Sequence, residues 1–176
     1  MLDVTELKES RVYTALSFSA FKGYDKCFKI IYKHALTYNI AGGEAVWNTC
    51  NTEVKKGEFM RLRRRQVSMW IDTPTDERFT ALHFATYHGS IELVRLMVEE
   101  MHANYNLKNV YGANVLHVAA QGDQPCPLYY FVNEKQMDIN IADNRGSTPL
   151  HWACYSKAEY ALSYILAMGP NLELKD

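Results

Sequence analysis

The sequence predicts an all-α fold, a solenoid of stacked helix-turn-helix repeats joined by β-hairpin-like loops. The first observation is a motif, x-Leu-His-x-Ala, that follows Thr80, Asn114 and Thr148 at a constant spacing of 34 (114 − 80 and 148 − 114). The second is an apolar segment with helical spacing after the copy at Thr80. The third is the composition, because 48% hydrophobic and 22% charged residues over the chain suit one packed domain.

Each copy of the motif begins with residues that start a helix. Thr80 and Thr148 carry hydroxyls that can satisfy free backbone N–H groups there. Pro149 suits the first turn, where the helix needs no N–H donor. The leucine of each copy points into the stack, and the alanine lets neighbouring repeats approach closely. These positions are Leu82, Leu116 and Leu150, and Ala85, Ala119 and Ala153.

The rest of the repeat is a turn and a second helix. Gly89 ends the first helix of the copy at Thr80, because this turn favours a residue that tolerates positive φ. A period of 34 rather than 33 predicts one inserted residue, which we place near Met101 and His102. Lys157 replaces the corresponding glycine in the last copy, a departure that leaves the geometry of that turn open.

A weaker copy of the repeat lies upstream. Thr14 opens a Thr-Ala-Leu-Ser-Phe-Ser segment, and Gly23 follows it by nine residues, as Gly89 follows Thr80. The positions of Thr14 and Thr80 differ by 66 (80 − 14), which is two periods of 33 and predicts one degenerate repeat between them. We therefore expect one domain over 1–176, divided into repeats at 11–43, 44–75, 76–109, 110–142 and 143–176, with an open C-terminal end.

Several classes of protein are disfavoured by the composition. The net charge of −1 gives no reason to expect a nucleic-acid partner, and no apolar run is long enough to predict a membrane span. The N-terminus lacks the basic start and apolar run of a signal peptide, so we expect a cytoplasmic protein. The four cysteines form no Cys-x-x-Cys pair, and we expect them to pack as small hydrophobes.

The histidines of the motif recur in register at His83, His117 and His151. A metal site is one interpretation, but structural hydrogen bonding to neighbouring backbone is favoured. The sequence also lacks a phosphate-binding glycine loop, a His-Glu-x-x-His motif and a Gly-x-Ser-x-Gly motif. We therefore expect no metal, no cofactor and no catalytic residue.

These motifs resemble those of ankyrin repeat proteins from about residue 11, most strongly from residue 76 onward. The resemblance implies ligand binding along a concave side made by hairpin tips and first helices. Segments 144–154 and 161–166 are also similar to the ankyrin region of membrane-bound Asp-His-His-Cys protein S-acyltransferases. That similarity implies a cytosolic module that recruits substrate proteins and is tethered to the membrane by downstream sequence.

The resemblance assigns binding positions residue by residue. They are Asp76, Glu77, Phe79, Tyr87 and His88 in the repeat at Thr80, then Val110, Tyr111, Ala113 and Gln121, then Asn144, Arg145, Ser147, Tyr155 and Ser156. The three tyrosines are favoured contacts because tyrosine is enriched at interface hot spots, although packing on a neighbouring repeat is an equal alternative. Trp152 is interpreted as a core residue.

A basic run over residues 55–65 is a separate candidate site. Arg61, Arg64 and Arg65 share one face of a predicted helix. This face could meet an acidic peptide, anionic lipid headgroups or nucleic acid, but a solvated helix face is the favoured interpretation.

Two classes of function fit these observations. The first is a non-catalytic module that binds a protein or peptide partner. The second is the substrate-recruiting cytosolic region of a membrane-bound protein S-acyltransferase, or of a channel. In neither case do we expect the chain to be catalytic itself.

Overall fold

The computed structural model describes residues 15–37 and 71–175, and this part of the chain contains helices and no strands. The helices are α1 (Ala15–Phe21), α2 (Asp25–Thr37), α3 (Ala81–His88), α4 (Ile91–Arg95), α5 (Val115–Gln121), α6 (Pro125–Tyr129), α7 (Pro149–Ser156) and α8 (Glu159–Ala167). A π-helical turn continues α4 over Leu96–Glu100, and another continues α6 over Tyr130–Glu134. Across the described residues no helix is long and apolar enough to cross a membrane.

The histidine of each motif copy accepts a hydrogen bond from the backbone at the N-terminus of its own helix. The backbone N–H of Thr80 donates to Nδ1 of His83 at 3.1 Å, and Asn114 donates to His117 in the same way at 3.3 Å. Nε2 of His117 donates in turn to the carbonyl of Ser147 in the next repeat at 3.1 Å. The predicted hydrogen bonding of the motif histidines to neighbouring backbone is therefore confirmed for His83 and His117.

The turn between the two helices of each repeat has left-handed backbone. The residue nine positions after the first residue of each motif copy has positive φ. The angle is 68° at Gly23, 76° at Gly89, 56° at Asp123 and 57° at Lys157. Lys157 thus adopts the same turn as the glycines, which settles the geometry that the sequence leaves open. Asp123 stabilises its turn with a side chain that accepts a hydrogen bond from the N–H of Ala161 at 2.8 Å.

The inserted residue lies in the π-helical turn that closes on Met101. The N–H of Met101 donates to the carbonyl of Leu96, five residues back, at 3.1 Å, and Lys135 donates to Tyr130 in the same way. In α8 the corresponding bond, from Met168 to Tyr164, spans four residues. Because an i to i−5 turn holds one more residue than an α-turn, the extra residue is absorbed inside the second helix.

The first hairpin, α1 with α2, packs directly on the hairpin of α3 and α4. The Phe21 and Phe84 rings meet edge to face with centroids 5.1 Å apart, and Nε2 of His88 donates to the Phe21 carbonyl at 2.9 Å. Lys29 pairs with Glu92 at 3.0 Å on the outer side. These contacts place the two hairpins next to each other, whereas the sequence predicts one repeat between them. The predicted repeat at 44–75 itself lies mostly outside the described residues.

Small residues allow the first helices to approach closely. Ala85, Ala119 and Ala153 are all almost completely buried, as are Leu82 and Leu116. The cysteines differ from expectation, because Cys27, Cys126 and Cys154 are exposed. Cys126 occupies the outward position that Glu92 holds in the previous repeat, and Cys154 is exposed on α7. Cys50 lies outside the described residues.

Candidate protein-binding surface

The first helices α1, α3, α5 and α7 lie side by side and form, with the hairpin tips, one face of the stack, which we call the inner surface. The structure contains two adjoining grooves on this surface. Gln121 lines both grooves, so the two grooves adjoin at this residue. The inner surface is therefore the place where an extended ligand would meet several repeats at once.

The larger groove has a volume of about 600 Å³ and an aromatic lining. Phe84 stacks on Phe79 with ring centroids 5.7 Å apart, and Phe21 contacts Phe84 edge to face. The ammonium group of Lys22 lies 5.4 Å from the centre of the Phe21 ring. The lining residues are Phe21, Lys22, Phe79, Phe84, Tyr87, His88, Val118 and Gln121.

The smaller groove has a volume of about 310 Å³ and is built around Asp143. The Asp143 carboxylate accepts hydrogen bonds from Nε1 of Trp152 and from the backbone N–H groups of Arg145 and Ser147, at 2.9 to 3.0 Å. Burial alone would raise the pKa of Asp143, but these bonds outweigh it and hold the pKa below its usual value. The other lining residues are Tyr111, Gln121, Tyr155 and Ser156.

The hairpin tips are joined to one another by hydrogen bonds. The N–H of Val110 donates to the carbonyl of Glu77 at 3.1 Å, and the N–H of Asn144 donates to the carbonyl of Tyr111 at 3.0 Å. The Asn144 side chain adds a bond to the carbonyl of Val110 at 3.1 Å. Consecutive tips are therefore held at a fixed spacing along the edge of the inner surface.

The model of the family "Ankyrin repeats (3 copies)" matches residues 59–128 and 82–176. The chain belongs to the ankyrin repeat family. Ankyrin repeats are protein-interaction modules rather than catalytic domains.

Three relatives illustrate how this ankyrin chain compares with curated proteins. It is 35% identical to human Ankyrin repeat domain-containing protein 53 over 47% of the chain and 16% of that protein. It is 25% identical to the Target of rapamycin complex 2 subunit AVO2 of Saccharomyces cerevisiae over 66% of the chain and 28% of that protein. It is 26% identical to Palmitoyltransferase AKR1 of Lachancea kluyveri over 55% of the chain and 13% of that protein. The chain thus spans less than a third of the length of each relative.

Most of the residues assigned to binding are accessible on the inner surface. Tyr87, Tyr111 and Tyr155 are 44%, 48% and 73% exposed. Ala113 and Ser147 differ, because they are 0% and 5% exposed and their side chains pack inside the hairpins. A partner could reach these two positions only through the backbone, so we remove both side chains from the contact set.

Sequence reasoning missed four groove residues that belong to a regular series. Phe21 lies seven residues after Thr14, as Tyr87 and Tyr155 lie seven after Thr80 and Thr148, so the same register would have found it. Lys22 lies eight residues after Thr14, as His88 lies eight after Thr80, so the same register would also have found it. Phe84 and Val118 occupy the fourth position after the start of the motif, where Trp152 also lies. Trp152 lines the smaller groove and is only partly buried, so its interpretation as a core residue was incomplete.

The charges that line the two grooves are mainly positive. Within the described residues Lys22 and Arg145 have no ion-pair partner, whereas the Asp143 carboxylate is already bound by three donors. The opposite, outer face carries a paired network instead, in which Arg95 contacts both Glu99 and Glu134. The Arg61, Arg64 and Arg65 face predicted from sequence lies outside the described residues.

Proposed function

We propose that the inner surface binds an extended segment of a partner protein. The single observation that carries the proposal is a series of three exposed tyrosines that line the two adjoining grooves. They are Tyr87, Tyr111 and Tyr155. Tyrosine offers a large apolar area with a polar tip and loses little side-chain entropy when it is immobilised. The remaining contacts would come from Asp76, Glu77, Phe79, His88, Val110, Gln121, Asn144, Arg145 and Ser156.

The geometry of the inner surface suits this role for a physical reason. The Phe79, Phe84 and Phe21 rings are fixed by contacts with one another, and the hairpin tips are fixed by backbone bonds. A preformed surface loses little conformational freedom on binding, so more of its contact energy appears as affinity. Each proposed contact thus lies on a rigid element rather than on a free loop.

The proposal is tested with two triple variants that are matched for exposure. In the first, Tyr87, Tyr111 and Tyr155 become alanine. In the second, Tyr24, Tyr129 and Tyr160 become alanine, and these tyrosines are 55%, 54% and 73% exposed away from the grooves. Proximity labelling in cells compares the proteins found near each variant with those near the unmodified chain.

We expect a set of proteins that is lost only in the first variant, while both variants keep the helical circular dichroism of the parent. Loss of the same set in both variants, or in neither, would remove the inner tyrosines from the proposal. The circular dichroism separates a loss of binding from a loss of folding.

We further propose, as an alternative for the whole protein, that the module recruits substrates for a membrane-bound protein S-acyltransferase in the cytosol. Two observations support it: the similarity to Palmitoyltransferase AKR1 and the exposed free thiols, which suit a reducing compartment. Proteins captured through the inner tyrosines would then carry thioester-linked acyl chains. Acyl-exchange labelling of the captured proteins tests this, and an absence of acylation among them would argue for a pure adaptor.

The repeat boundaries are also proposals. We propose that the stack is formed by the repeats at 11–43, 76–109, 110–142 and 143–176, with 44–75 connecting the first two. The direct packing of α1 on α3 supports this arrangement.

A further inference from the structure

We propose that the partner of the inner surface is an acidic, extended protein segment whose apolar side chains enter the aromatic groove. This inference rests on the proposed function, because it names the kind of partner that the same surface takes. It is carried by the charges and the ring contacts of the two grooves, taken together with their spacing along the stack.

The grooves carry a net positive charge, because Lys22 and Arg145 outnumber the ionised carboxylate of Asp143. The only carboxylate that lines them, in the described part of the chain, belongs to Asp143, and three donors already occupy it. Lys22 and Arg145 form no ion pair among the described residues, so each cation can pair with a group of the partner. A partner with negative charges would balance both, whereas a basic partner would meet two unpaired cations.

The aromatic groove disfavours a cationic side chain of the partner. Rings of this kind attract cations to their faces, but the ammonium group of Lys22 already lies close to the rings of Phe21 and Phe18, at 5.4 and 5.8 Å from their centres. A lysine or arginine of a partner that approached Phe21 would be repelled by Lys22. The groove therefore favours an apolar or aromatic residue of the partner, with an acidic residue beside it.

The positions of the two cations set the spacing of the acidic residues. Lys22 belongs to the first repeat of the stack and Arg145 to the fourth, so three repeat steps separate them. Packed helices lie about 8–10 Å apart, which makes the separation roughly 24–30 Å. An extended chain advances about 3.3 Å per residue, so two acidic residues that meet both cations lie about eight residues apart.

One feature of the surface limits where the acidic residues can lie. Asp76 and Glu77 at the tip of the second repeat would repel them, but these two residues do not line either groove. The acidic residues of the partner are thus expected at the ends of the bound segment, and its apolar residues between them.

The experiment selects displayed random peptides of about 16 residues, twice the expected spacing, on the purified chain. The enriched peptides are then synthesised and titrated by fluorescence anisotropy at low and high salt. Two charge variants are compared, K22E/R145E in the grooves and K26E/K175E as a control. Lys26 and Lys175 are exposed and line neither groove, and both double variants change the net charge by the same amount.

The expected result has three parts. The enriched peptides are acidic with apolar residues between the charges, their binding weakens at high salt, and K22E/R145E weakens it about tenfold or more. K26E/K175E changes the affinity by less than about twofold. The triple alanine variant of Tyr87, Tyr111 and Tyr155 also loses binding.

Two outcomes overturn this inference while leaving the proposed function intact. One is the enrichment of neutral or basic peptides whose binding needs the three tyrosines but not Lys22 and Arg145. The other is tighter binding of a single-stranded oligouridine or oligoadenosine than of any peptide through the same two cations. Selection of no peptide that depends on the tyrosines would count against the inference and the proposed function together.

Discussion

At the scale of single residues, the turn between the two helices shows how different residues adopt the same positive φ at different cost. The turn position has positive φ in all four described repeats, yet only Gly23 and Gly89 are glycines. Asp123 offsets its strain with a hydrogen bond to the next repeat. Lys157 has no comparable side-chain bond among the described residues, and a side chain in this region costs about 1–2 kcal/mol.

Replacing Lys157 with glycine is therefore expected to raise the free energy of unfolding by about 1 kcal/mol, measured by urea denaturation. The matched control is Gly89→Ala, which should lower it. The φ of Gly89 is 76°, and a Cβ there would overlap the Gln124 side chain, which must move. No gain for Lys157→Gly would show that the lysine turn is not strained.

The buried histidines of the motif make stability depend on pH. Burial lowers the pKa of His83 and of His117 to about 4, against 6.5 for an exposed imidazole. Between pH 6.5 and 4 the unfolded chain binds protons that the folded chain does not, so the free energy of unfolding falls as the pH falls. Each histidine contributes about 3 kcal/mol to this loss.

We expect urea denaturation of the intact chain to show this fall between pH 6.5 and 4, with little further loss from these two groups below pH 4. In His117→Gln, which cannot titrate, the fall should be about half as large. The variant is less stable at pH 7, because it weakens the bond to Ser147, so the comparison uses the pH slope rather than the absolute value. An unchanged slope would contradict the assignment.

At the scale of elements, the two π-turns bring a polar network onto the outer face. Tyr130 is buried beneath two cations, with the Arg95 guanidinium 4.7 Å and the Lys135 ammonium 5.1 Å from the ring centre. Its hydroxyl donates to Glu99 at 3.1 Å, and this pair links the second helices of adjacent repeats. Burial and the nearby Glu99 carboxylate raise the pKa of Tyr130, so the hydroxyl stays a donor.

Tyr130→Phe removes only this donor and is expected to lower the free energy of unfolding by about 1 kcal/mol. The adjacent Tyr129 is 54% exposed, and Tyr129→Phe should change stability by less than about 0.5 kcal/mol. Thermal unfolding of both variants distinguishes the two cases. Equal effects would mean that the bond between Tyr130 and Glu99 contributes nothing to repeat stacking.

The helices were predictable from sequence to different degrees. The starts of α3, α5 and α7 follow from Thr80, Asn114 and Thr148, because capping needs particular side chains at a particular place. The π-turns were not located, because the hydrogen-bond pattern changes there without any change in residue type. Length alone signalled one extra residue, and the packing of the second helix decided where it lies.

At the scale of the whole molecule, the sequence spacing between Thr14 and Thr80 did not determine how many repeats lie between them. The separation of Thr14 from Thr80 fits two full periods, but it also fits one period followed by a long connecting segment. Both arrangements leave the same spacing in the sequence, and only contacts such as that of Phe21 with Phe84 distinguish them. The same limit applied to the candidate site, where Phe21 and Lys22 became neighbours of Tyr87 and His88 only in the folded stack.

Direct packing of the first hairpin predicts energetic coupling between Phe21 and Phe84. In a double-mutant cycle of Phe21→Ala and Phe84→Ala we expect a coupling of about 0.5–1.5 kcal/mol in the free energy of unfolding. Phe21→Ala combined with Phe131→Ala, which lies two repeats from the first hairpin, should be additive. A repeat between the first two hairpins would hold Phe21 and Phe84 roughly 20 Å apart and leave no coupling.

The bonds from Val110 to Glu77 and from Asn144 to Tyr111 have a consequence for selectivity. Because each of these tips is bonded to the next, a change in their spacing would break backbone hydrogen bonds. A sequence with suitable chemistry but the wrong distance between its anchoring residues would satisfy one repeat and miss the next. If the inner surface binds as we propose, the row of tips selects partners by length as well as composition, and insertion of one residue into the bound segment should be more harmful than many substitutions.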